Sequence, residues 1–388
     1  MEFDLSWLLL GLPLAFFLGW GASRFDLRQL RLENKQAPKS YFKGLNFLLN
    51  EQQDQAIDAF IEAVQNDPDT SELHFALGNL FRRRGEFERA VRVHEHLLSR
   101  ADLSQADRDR AQHALALDFL KAGLLDRAEA ALQKLEGTAF ETSSRLALLA
   151  IYERSREWAQ AAAIAQRISA SDQGQFINRE AHYLCEQALE VAGTQPELAL
   201  ERLSVAIQKA PQAPRAYLEK AKILDRQQQF DAVDGCLKLL AQNCPTFVPL
   251  GASLWAKAAQ KTQRQQDLDL YLQQLYAERP SLDLMEARIA LLDSMEHAPG
   301  ATLALYEDHL NKEPSLVAAT GWIKTQAEQA PNPGSALPKT LQRALDRATL
   351  PLSRYRCAAC GFEAKTYFWH CPGCQSWDSF PPQRIEEL

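Results

Sequence analysis

A pattern that recurs about every 34 residues runs through residues 37–315 and constrains the fold of most of this 388-residue chain. Each copy places a glycine or alanine, an aromatic residue three positions later, an alanine nine positions after that, and a closing proline twelve positions further on. The first copy holds Gly44, Phe47, Ala56 and Pro68, and the second begins at Gly78. A period of this length indicates a stacked array in which each repeat is one helix hairpin.

The arrangement matches the tetratricopeptide pattern. Small residues stand where the two helices of a repeat touch, large residues fill the gap to the next repeat, and the proline ends the second helix because it lacks an N–H donor. We count about eight copies, of which the first two fit best and the last three fit weakly. Single repeats cannot bury their apolar faces, so the sequence predicts an all-α superhelix with one concave wall. An irregular helical bundle is the alternative.

Four of the seven cysteines lie near the C-terminus, in two C-x-x-C turns separated by ten residues. They are Cys357, Cys360, Cys371 and Cys374. Each turn brings two sulfurs together, and two facing turns make a tetrahedral four-thiolate metal site. Gly361 allows the first turn to fold back on itself. Disulfide pairing is the alternative, but the other three cysteines are scattered through helical segments, which favours a reducing compartment.

The metal in such a site is zinc or iron, because both accept tetrahedral sulfur, and zinc is favoured on general frequency. Four thiolates leave no open position for water or substrate, which predicts a structural role rather than hydrolysis. His370 adjoins Cys371, but a fifth ligand is not needed. Seven aromatic residues crowd the segment and are expected to cap the site, with some available to a partner: Tyr355, Phe362, Tyr367, Phe368, Trp369, Trp377 and Phe380.

An uncharged stretch of eighteen residues, 5–22, lies near the N-terminus. As a helix it would be about 27 Å long, close to the ~30 Å hydrocarbon core of a bilayer. The chain starts with Glu2 and Asp4 rather than with basic residues, which favours a retained transmembrane anchor over a cleaved signal peptide. The positive-inside rule then places the rest of the chain in the cytoplasm, because four basic residues follow the stretch: Arg24, Arg28, Arg31 and Lys35.

These features divide the chain into five parts. We predict a transmembrane anchor over 1–23, a basic juxtamembrane segment over 24–36, a repeat array over 37–330, a linker with a short helix over 331–353, and a rubredoxin-like or zinc-ribbon module over 354–388. Pro338 opens the short helix, over about 339–350, which we expect to tether the module and to pack it against the array.

One further regularity concerns charge. The position five residues after the small residue is basic in five repeats, at Arg83, Lys121, Arg154, Arg226 and Lys261. This position falls near the end of the first helix, on or near the concave wall, where a row of cations could bind an acidic or C-terminal peptide segment. The alternative is compensation of the helix dipole, since cations favour the last turn of any helix.

Charge and motifs argue against other classes of function. The formal net charge of −7 disfavours nucleic acid as the main partner. The sequence has no glycine-rich phosphate loop with a following Lys-Ser/Thr, no H-E-x-x-H and no nucleophile elbow, and its eight histidines are scattered. We therefore predict that the chain is not an enzyme.

The order of anchor, repeat array and four-cysteine module resembles the lipopolysaccharide assembly protein B family of Gram-negative bacteria over the full length. The resemblance is most specific in YRCAACGFEAKTYFWHCPGCQSWDSF, residues 355–380. Its matching residues are Tyr355, Arg356, Cys357, Cys360, Gly361, Phe362, Trp369, His370, Cys371, Pro372, Cys374 and Trp377. The metal-ligand role carries over to the four cysteines of this segment.

The resemblance implies an inner-membrane adaptor with a single transmembrane pass. That family delivers the deacetylase that commits carbon to lipid A synthesis to a membrane-bound AAA+ protease, and an inner-membrane protein that senses lipopolysaccharide restrains it. Two alternatives stay open. One is a scaffold for envelope-synthesis enzymes that degrades nothing, and the other is an iron-thiolate module that transfers single electrons.

Overall fold

A computed structural model describes residues 16–20, 42–66, 70–171, 176–295, 300–329, 339–349, 352 and 354–387. They belong to two compact units, Met1–Ser155 and Arg156–Leu388. Most of the uncharged stretch 5–22 lies outside the described residues, and the part that is described, 16–20, is helical. Among the described helices, none has the length and apolar character that a bilayer crossing requires.

Besides the helical residues 16–20, the first unit contains seven described helices. They are α1 (42–49), α2 (Gln53–Asn66), α3 (Ser71–Arg84), α4 (Phe87–Ser99), α5 (Gln105–Ala122), α6 (Leu125–Gln133) and α7 (Glu141–Ser155). Successive helices pack on one another from α2 to α7, and α3 also packs on α5. The helices therefore follow the predicted repeat phase.

Small residues in this unit stand at helix–helix contacts, as the repeat pattern predicts. A Cβ atom added to Gly78 of α3 would lie 2.5 Å from Nε2 of His94 in α4, and one added to Gly44 would lie 2.8 Å from the Phe60 ring. Ala56 and Ala90 are completely buried. The small side chains thus set the close approach of the paired helices.

A buried polar cluster joins α3, α4 and α5. Nδ1 of His94 lies 2.5 Å from Oδ2 of Asp118, and both residues are fully buried. Arg82 donates to Oδ1 of Asp118 at 2.9 Å and to the Ala114 carbonyl at 3.1 Å. The carboxylate is therefore paired on both oxygens, as a buried charge requires.

The second unit contains eleven described α-helices. They are α8 (Trp158–Ser171), α9 (Ile177–Val191), α10 (Pro196–Lys209), α11 (Pro214–Arg226), α12 (Phe230–Asn243), α13 (Ala252–Thr262), α14 (Gln265–Glu278), α15 (Leu282–Ser294), α16 (Ala301–Lys312), α17 (Leu316–Gln329) and α18 (Lys339–Thr349). Pro211, Pro280 and Pro314 follow the ends of α10, α14 and α16, as expected for closing prolines. Pro245 instead begins a 3₁₀ helix, Pro245–Gly251, between α12 and α13.

The C-terminal module is almost free of regular structure. Strands β1 (Tyr355–Arg356) and β2 (Glu363–Ala364) pair antiparallel, and His370 bridges to Trp377. A short 3₁₀ helix, Ile385–Glu387, ends the described chain. The small core of the module contains Tyr355 and Phe380 beside two of the cysteines.

Helix α18 forms where the linker predicts it. It packs on α17, with Lys324 and Asp346 paired at 2.6 Å. The module also contacts the repeat helices through its own residues, such as Trp369.

Candidate metal centre and its position on the helices

The two C-x-x-C turns bring four sulfur atoms together. All four Sγ atoms lie within 4.8 Å of one another. Sγ of Cys357 is 3.8 Å from that of Cys374, and Sγ of Cys360 is 3.7 Å from that of Cys371. A tetrahedral ion with ~2.3 Å metal–sulfur bonds spaces its sulfurs about 3.8 Å apart, whereas a disulfide requires ~2.05 Å. The donor set fits a metal ion and does not fit paired disulfides.

Each turn closes with a residue in the left-handed backbone conformation. Gly361 has φ of +77° after the first pair, and Gln375 has φ of +60° after the second. The N–H of Gly361 donates to the Cys357 carbonyl, and the N–H of Gln375 donates to the Cys371 carbonyl, both at 2.9 Å. The two turns therefore share one geometry, although glycine signals only the first in the sequence.

The sulfurs differ in exposure and in the groups that act on them. Cys357 and Cys371 are buried, whereas Cys360 and Cys374 are exposed. Burial opposes ionisation of Cys357, but the Ser379 hydroxyl and nearby backbone N–H groups lower the pKa of this thiol to about 6. The N–H of Phe362 favours the Cys360 thiolate, but burial and the neighbouring thiols raise the pKa of Cys360 to about 12. The Ser376 hydroxyl and backbone N–H lower the pKa of Cys374, so these three thiols differ in how readily they ionise.

His370 stands apart from the sulfur cluster. Its Nε2 lies 2.9 Å from the Gln375 carbonyl, and its ring stacks on Trp377 with centroids 4.4 Å apart. The imidazole therefore packs within the turn and orients the neighbouring indole. The four-cysteine set is complete without it.

The predicted aromatic cap faces the chain's own helices. Trp369 is buried in the core shared by α11–α15 and stacks on Phe247 of the first 3₁₀ helix, with centroids 5.9 Å apart. Trp377 stacks on His182 of α9 at 4.8 Å and meets Trp158 of α8 edge to face at 6.4 Å. The other aromatic residues of the cap pack in or against the module's own small core, except Phe362, which is exposed. The two tryptophans thus attach the module to the helices of the second unit.

A hydrogen bond lies beside these rings. Nε2 of the buried His182 is 2.8 Å from Oδ1 of Asp378. Burial lowers the pKa of His182, although the Asp378 carboxylate opposes this effect. Neutral His182 can donate from Nε2 to Asp378, which fixes the ring orientation that Trp377 stacks on.

The cationic positions predicted from the repeats lie in the last turns of α3, α5, α7, α11 and α13: Arg83, Lys121, Arg154, Arg226 and Lys261. All five are exposed. Within the described part of the chain, none of them forms an ion pair or a side-chain hydrogen bond. The first three belong to one compact unit and the last two to the other. Their location satisfies the helix-dipole interpretation, and their free charge leaves the peptide-binding prediction open.

Several residues that position the module carry no signature in the sequence. His182 is one helical histidine among scattered ones, and Asp378 lies just after the second C-x-x-C turn. Arg384 is buried against Asp283 and Glu286 of α15, about a hundred residues away in the chain. Only the unusual density of charge in the last residues, with Arg384 followed by two glutamates, could have drawn attention to this contact.

The chain is similar to known proteins both in its cysteine module and over its full length. The family described as rubredoxin metal binding domain matches residues 355–382. Lipopolysaccharide assembly protein B of Escherichia coli (strain K12) is 30% identical over 404 residues, which cover 98% of each chain. The protein of the same name from Haemophilus influenzae is 30% identical over 402 residues, again 98% of each chain.

Among solved structures, a tetratricopeptide repeat protein from Parabacteroides merdae is 13% identical, with a TM-score of 0.34, and covers 66% of this chain and 98% of that one. The full-length similarity to the two bacterial proteins confirms the family that the sequence resembles. The all-α hairpin array and the four-cysteine module account for the two parts of that similarity. This chain is a member of the lipopolysaccharide assembly protein B family.

Proposed function

We propose that this chain is a non-enzymatic adaptor that regulates lipopolysaccharide synthesis at the bacterial inner membrane. The observation that carries the proposal is the match to proteins named lipopolysaccharide assembly protein B over 98% of both chains, so that array and module are retained together. In this role the chain presents the deacetylase of lipid A synthesis to a membrane-bound AAA+ protease. An inner-membrane protein that senses lipopolysaccharide sets its activity.

Membrane attachment is part of this proposal. Residues 1–23 form the single transmembrane anchor, and the basic segment 24–36 lies against anionic headgroups on the cytoplasmic side. The uncharged length of 5–22 supports this assignment. Confinement to the bilayer surface raises the effective concentration of the array near a membrane protease without any new contact.

The four-cysteine site has a structural role in the proposal. Cys357, Cys360, Cys371 and Cys374 hold one zinc or iron ion, and the spacings of 3.7 and 3.8 Å between opposite sulfurs support this ligand set. The ion supplies folding free energy to a segment that is too small to form its own core. The module in turn contributes Trp369 to the core of α11–α15.

The client is proposed to bind at the exposed cations of the repeats. In the first unit, Arg83, Lys121 and Arg154 end three first helices of the repeats, and neither ion pairs nor side-chain hydrogen bonds engage them among the described residues. Free guanidinium and ammonium groups of this kind bind carboxylates of an extended acidic segment. In the second unit, the module contacts Arg215 near the start of α11 and Leu282 at the start of α15. Arg226 lies at the opposite end of α11 and is exposed.

The test is the half-life of the deacetylase in cells depleted of this protein and then supplied with variants. Wild-type protein should restore rapid turnover, and the double variant Arg83→Glu, Arg154→Glu should restore it poorly while keeping its thermal stability. A matched control is Arg343→Glu with Arg347→Glu on the exposed side of α18, which should restore turnover fully. A half-life that does not change on depletion would reject the adaptor and favour the non-degradative scaffold.

A further inference from the structure

The tail of the chain, residues 382–387, lies against the start of α15. Arg384 donates to both carboxylate oxygens of Asp283, at 2.5 and 3.2 Å, and to Oε2 of Glu286 at 2.6 Å. Only 2% of Arg384 is exposed. A buried guanidinium with two carboxylates and a forked geometry is a built recognition contact rather than a surface ion pair.

The two glutamates of the tail bind the beginnings of two helices. Oε1 of Glu387 accepts from the backbone N–H of Leu282, the first residue of α15, at 2.5 Å. Oε2 of Glu386 accepts from the Ser315 hydroxyl, just before α17, at 2.9 Å. Carboxylates are stabilised at helix N-termini by the free N–H groups and the helix dipole. The tail therefore places its arginine against two carboxylates and its two glutamates against two helix N-termini.

The backbone of the tail is also engaged. The N–H of Ile385 donates to the carbonyl of Arg354, at the start of β1, at 2.8 Å. Arg354 itself lies 3.6 Å from Glu286 and 3.9 Å from Asp283. One short segment thus joins the module to two repeat helices.

A cleft of about 310 Å³ adjoins the tail and is lined in part by Pro382 and Gln383. The rest of its lining is largely apolar, but it also contains the charged Glu278 and Arg279 and the hydroxyl residue Ser281. Ser281 is buried, and its hydroxyl has no hydrogen-bond partner among the described residues. A polar group in this state favours a ligand that supplies a partner.

We propose that the start of α15, with Ser315 and the adjoining cleft, is a peptide-binding site for an extended segment that carries an arginine followed by glutamates. The chain's own tail fills this site in cis and thereby fastens the module to the helices. When the tail is released, the acidic pair Asp283 and Glu286 binds the same type of segment in trans. The inference does not depend on the proposed function, because it rests on the contacts of the tail and on the lining of the adjoining cleft.

The direct test uses a chain that ends at Gln383 and a fluorescent peptide of sequence PQRIEEL, copied from residues 382–388. The shortened chain should bind the peptide saturably, at least tenfold more tightly than the full chain does. The same peptide with its arginine replaced by glutamine should not bind, and neither should PQRIEEL to a shortened chain with Asp283→Asn and Glu286→Gln. A shortened chain that binds both peptides equally, or neither of them, would overturn the proposal.

A second measurement covers the case in which the shortened chain fails to fold. In full-length protein, Arg384→Gln should speed amide hydrogen exchange at Leu282 and across 354–380 at least tenfold, with bound metal per chain unchanged. The control is Lys365→Gln at an exposed position of the module, which should leave exchange as in the wild type. Unchanged exchange in the Arg384→Gln protein would show that the tail does not fasten the module.

Discussion

The residue that follows the first helix of a repeat adopts the left-handed backbone conformation whether or not it is glycine. Six helices end in this way, with positive φ angles at Glu51, Gly85, Gly123, Arg156, Gln228 and Gln263. The last five of these residues each lie two positions after one of the exposed cations. The left-handed conformation costs a residue with a side chain ~1–2 kcal/mol, so four of the six positions carry avoidable strain.

Replacing a strained residue by glycine should therefore stabilise the protein. Gln228→Gly removes the backbone strain at φ of +60°, but glycine also has more conformational freedom in the unfolded chain. The net increase in the free energy of unfolding should be about 0.5–1 kcal/mol. The midpoint of thermal unfolding measures the gain. Gln208→Gly, at an exposed position inside α10, should instead cost about 1 kcal/mol. If both variants changed the midpoint of thermal unfolding equally, backbone strain at Gln228 would be ruled out as the cause.

Two glycines inside helices should respond in opposite ways to a methyl group. Gly78→Ala places the new Cβ against buried His94 and should destabilise by about 1–3 kcal/mol. Gly235→Ala in α12 meets open space and should stabilise by up to ~1 kcal/mol, because alanine is the better helix former. Urea unfolding of both variants makes the comparison. A Gly78→Ala protein with the same free energy of unfolding as the wild type would show that the two helices can move apart without losing stability.

These residues show what the repeat pattern could predict. The small residue at position 78 was predictable, because a contact between paired helices leaves room for nothing larger. The left-handed ends at Gln228 and Gln263 were not, because glutamine gives no signal for that conformation and the surrounding turn imposes it. Likewise Gly361 indicates a left-handed residue after the first cysteine pair, whereas Gln375 gives no such signal after the second.

At the level of elements, α14 and α16 are joined by a buried histidine. Nδ1 of His309 lies 2.8 Å from the Tyr276 hydroxyl, and His309 is completely buried. Lys312 also lies over the Tyr276 ring, 4.9 Å from its centroid. Burial lowers the pKa of His309, and the other charged groups that act on it are Glu313, Glu386, Arg384 and Asp308. The neutral ring can accept the tyrosine O–H, whereas the charged ring cannot.

This contact predicts a dependence of stability on pH. Because the pKa of His309 is lower in the folded state than its ordinary value of about 6.5, the unfolded chain binds more protons as pH falls through that value. Stability should be fully present above about pH 6.5 and should decrease below it, by at most ~1.4 kcal/mol per pH unit for this one group. Unfolding free energies measured from pH 8 to 5 give the slope.

The variant His309→Gln keeps an acceptor for Tyr276 and should have a shallower slope below pH 6.5 than the wild type. His96→Gln, at an exposed position in α4, provides the control and should leave the slope unchanged. Burial also lowers the pKa of His113 and of His182, and this effect is common to all three proteins, so the difference isolates His309. Parallel pH profiles for wild type and His309→Gln would contradict the assignment.

The helices themselves could be predicted from the repeat phase, but one connecting element could not. Pro245 was expected to close a repeat, and it does follow α12, yet it also begins the 3₁₀ helix Pro245–Gly251. Phe247 of this segment stacks on Trp369, and Leu250 packs on the small core of the module. These contacts join the segment to a module more than a hundred residues further along the chain, and the repeat pattern contains no signal for them.

In the second unit as a whole, the module and the repeat helices share one hydrophobic core. The sequence predicted both parts, since cysteine spacing and helical periodicity are local signals. It could not predict how they join, because the joining contacts pair distant residues of ordinary type, such as His182 with Asp378 and Asp283 with Arg384. We therefore expect the four-cysteine site to determine more than its own small fold, because Trp369 and Trp377 lie within three residues of its cysteines in the chain.

Removal of the metal should consequently loosen helices that contain no ligand. Loss of the ion leaves four clustered thiols with no core of their own to hold them, so Trp369 and Trp377 should leave their contacts with Phe247 and His182. After treatment with a chelator, amide exchange should accelerate at least tenfold, equivalent to ~1.4 kcal/mol, in the module, in α9 and in 245–251. Exchange in α3 and α4 of the other compact unit is the internal reference and should not change.

Cysteine variants separate the ion from general damage to the chain. Cys371→Ser should lose the metal and reproduce the exchange pattern of the chelated protein, because it removes a buried ligand. Cys236→Ser changes a buried thiol outside the cluster to a hydroxyl that can still donate to the Tyr217 carbonyl, and it should keep both the metal and the protection of 245–251. Full protection of 245–251 in metal-free protein would mean that the helices position the module, with the site adding only local order. Loss of that protection in Cys371→Ser alone would establish that the metal-bound turns organise this part of the array.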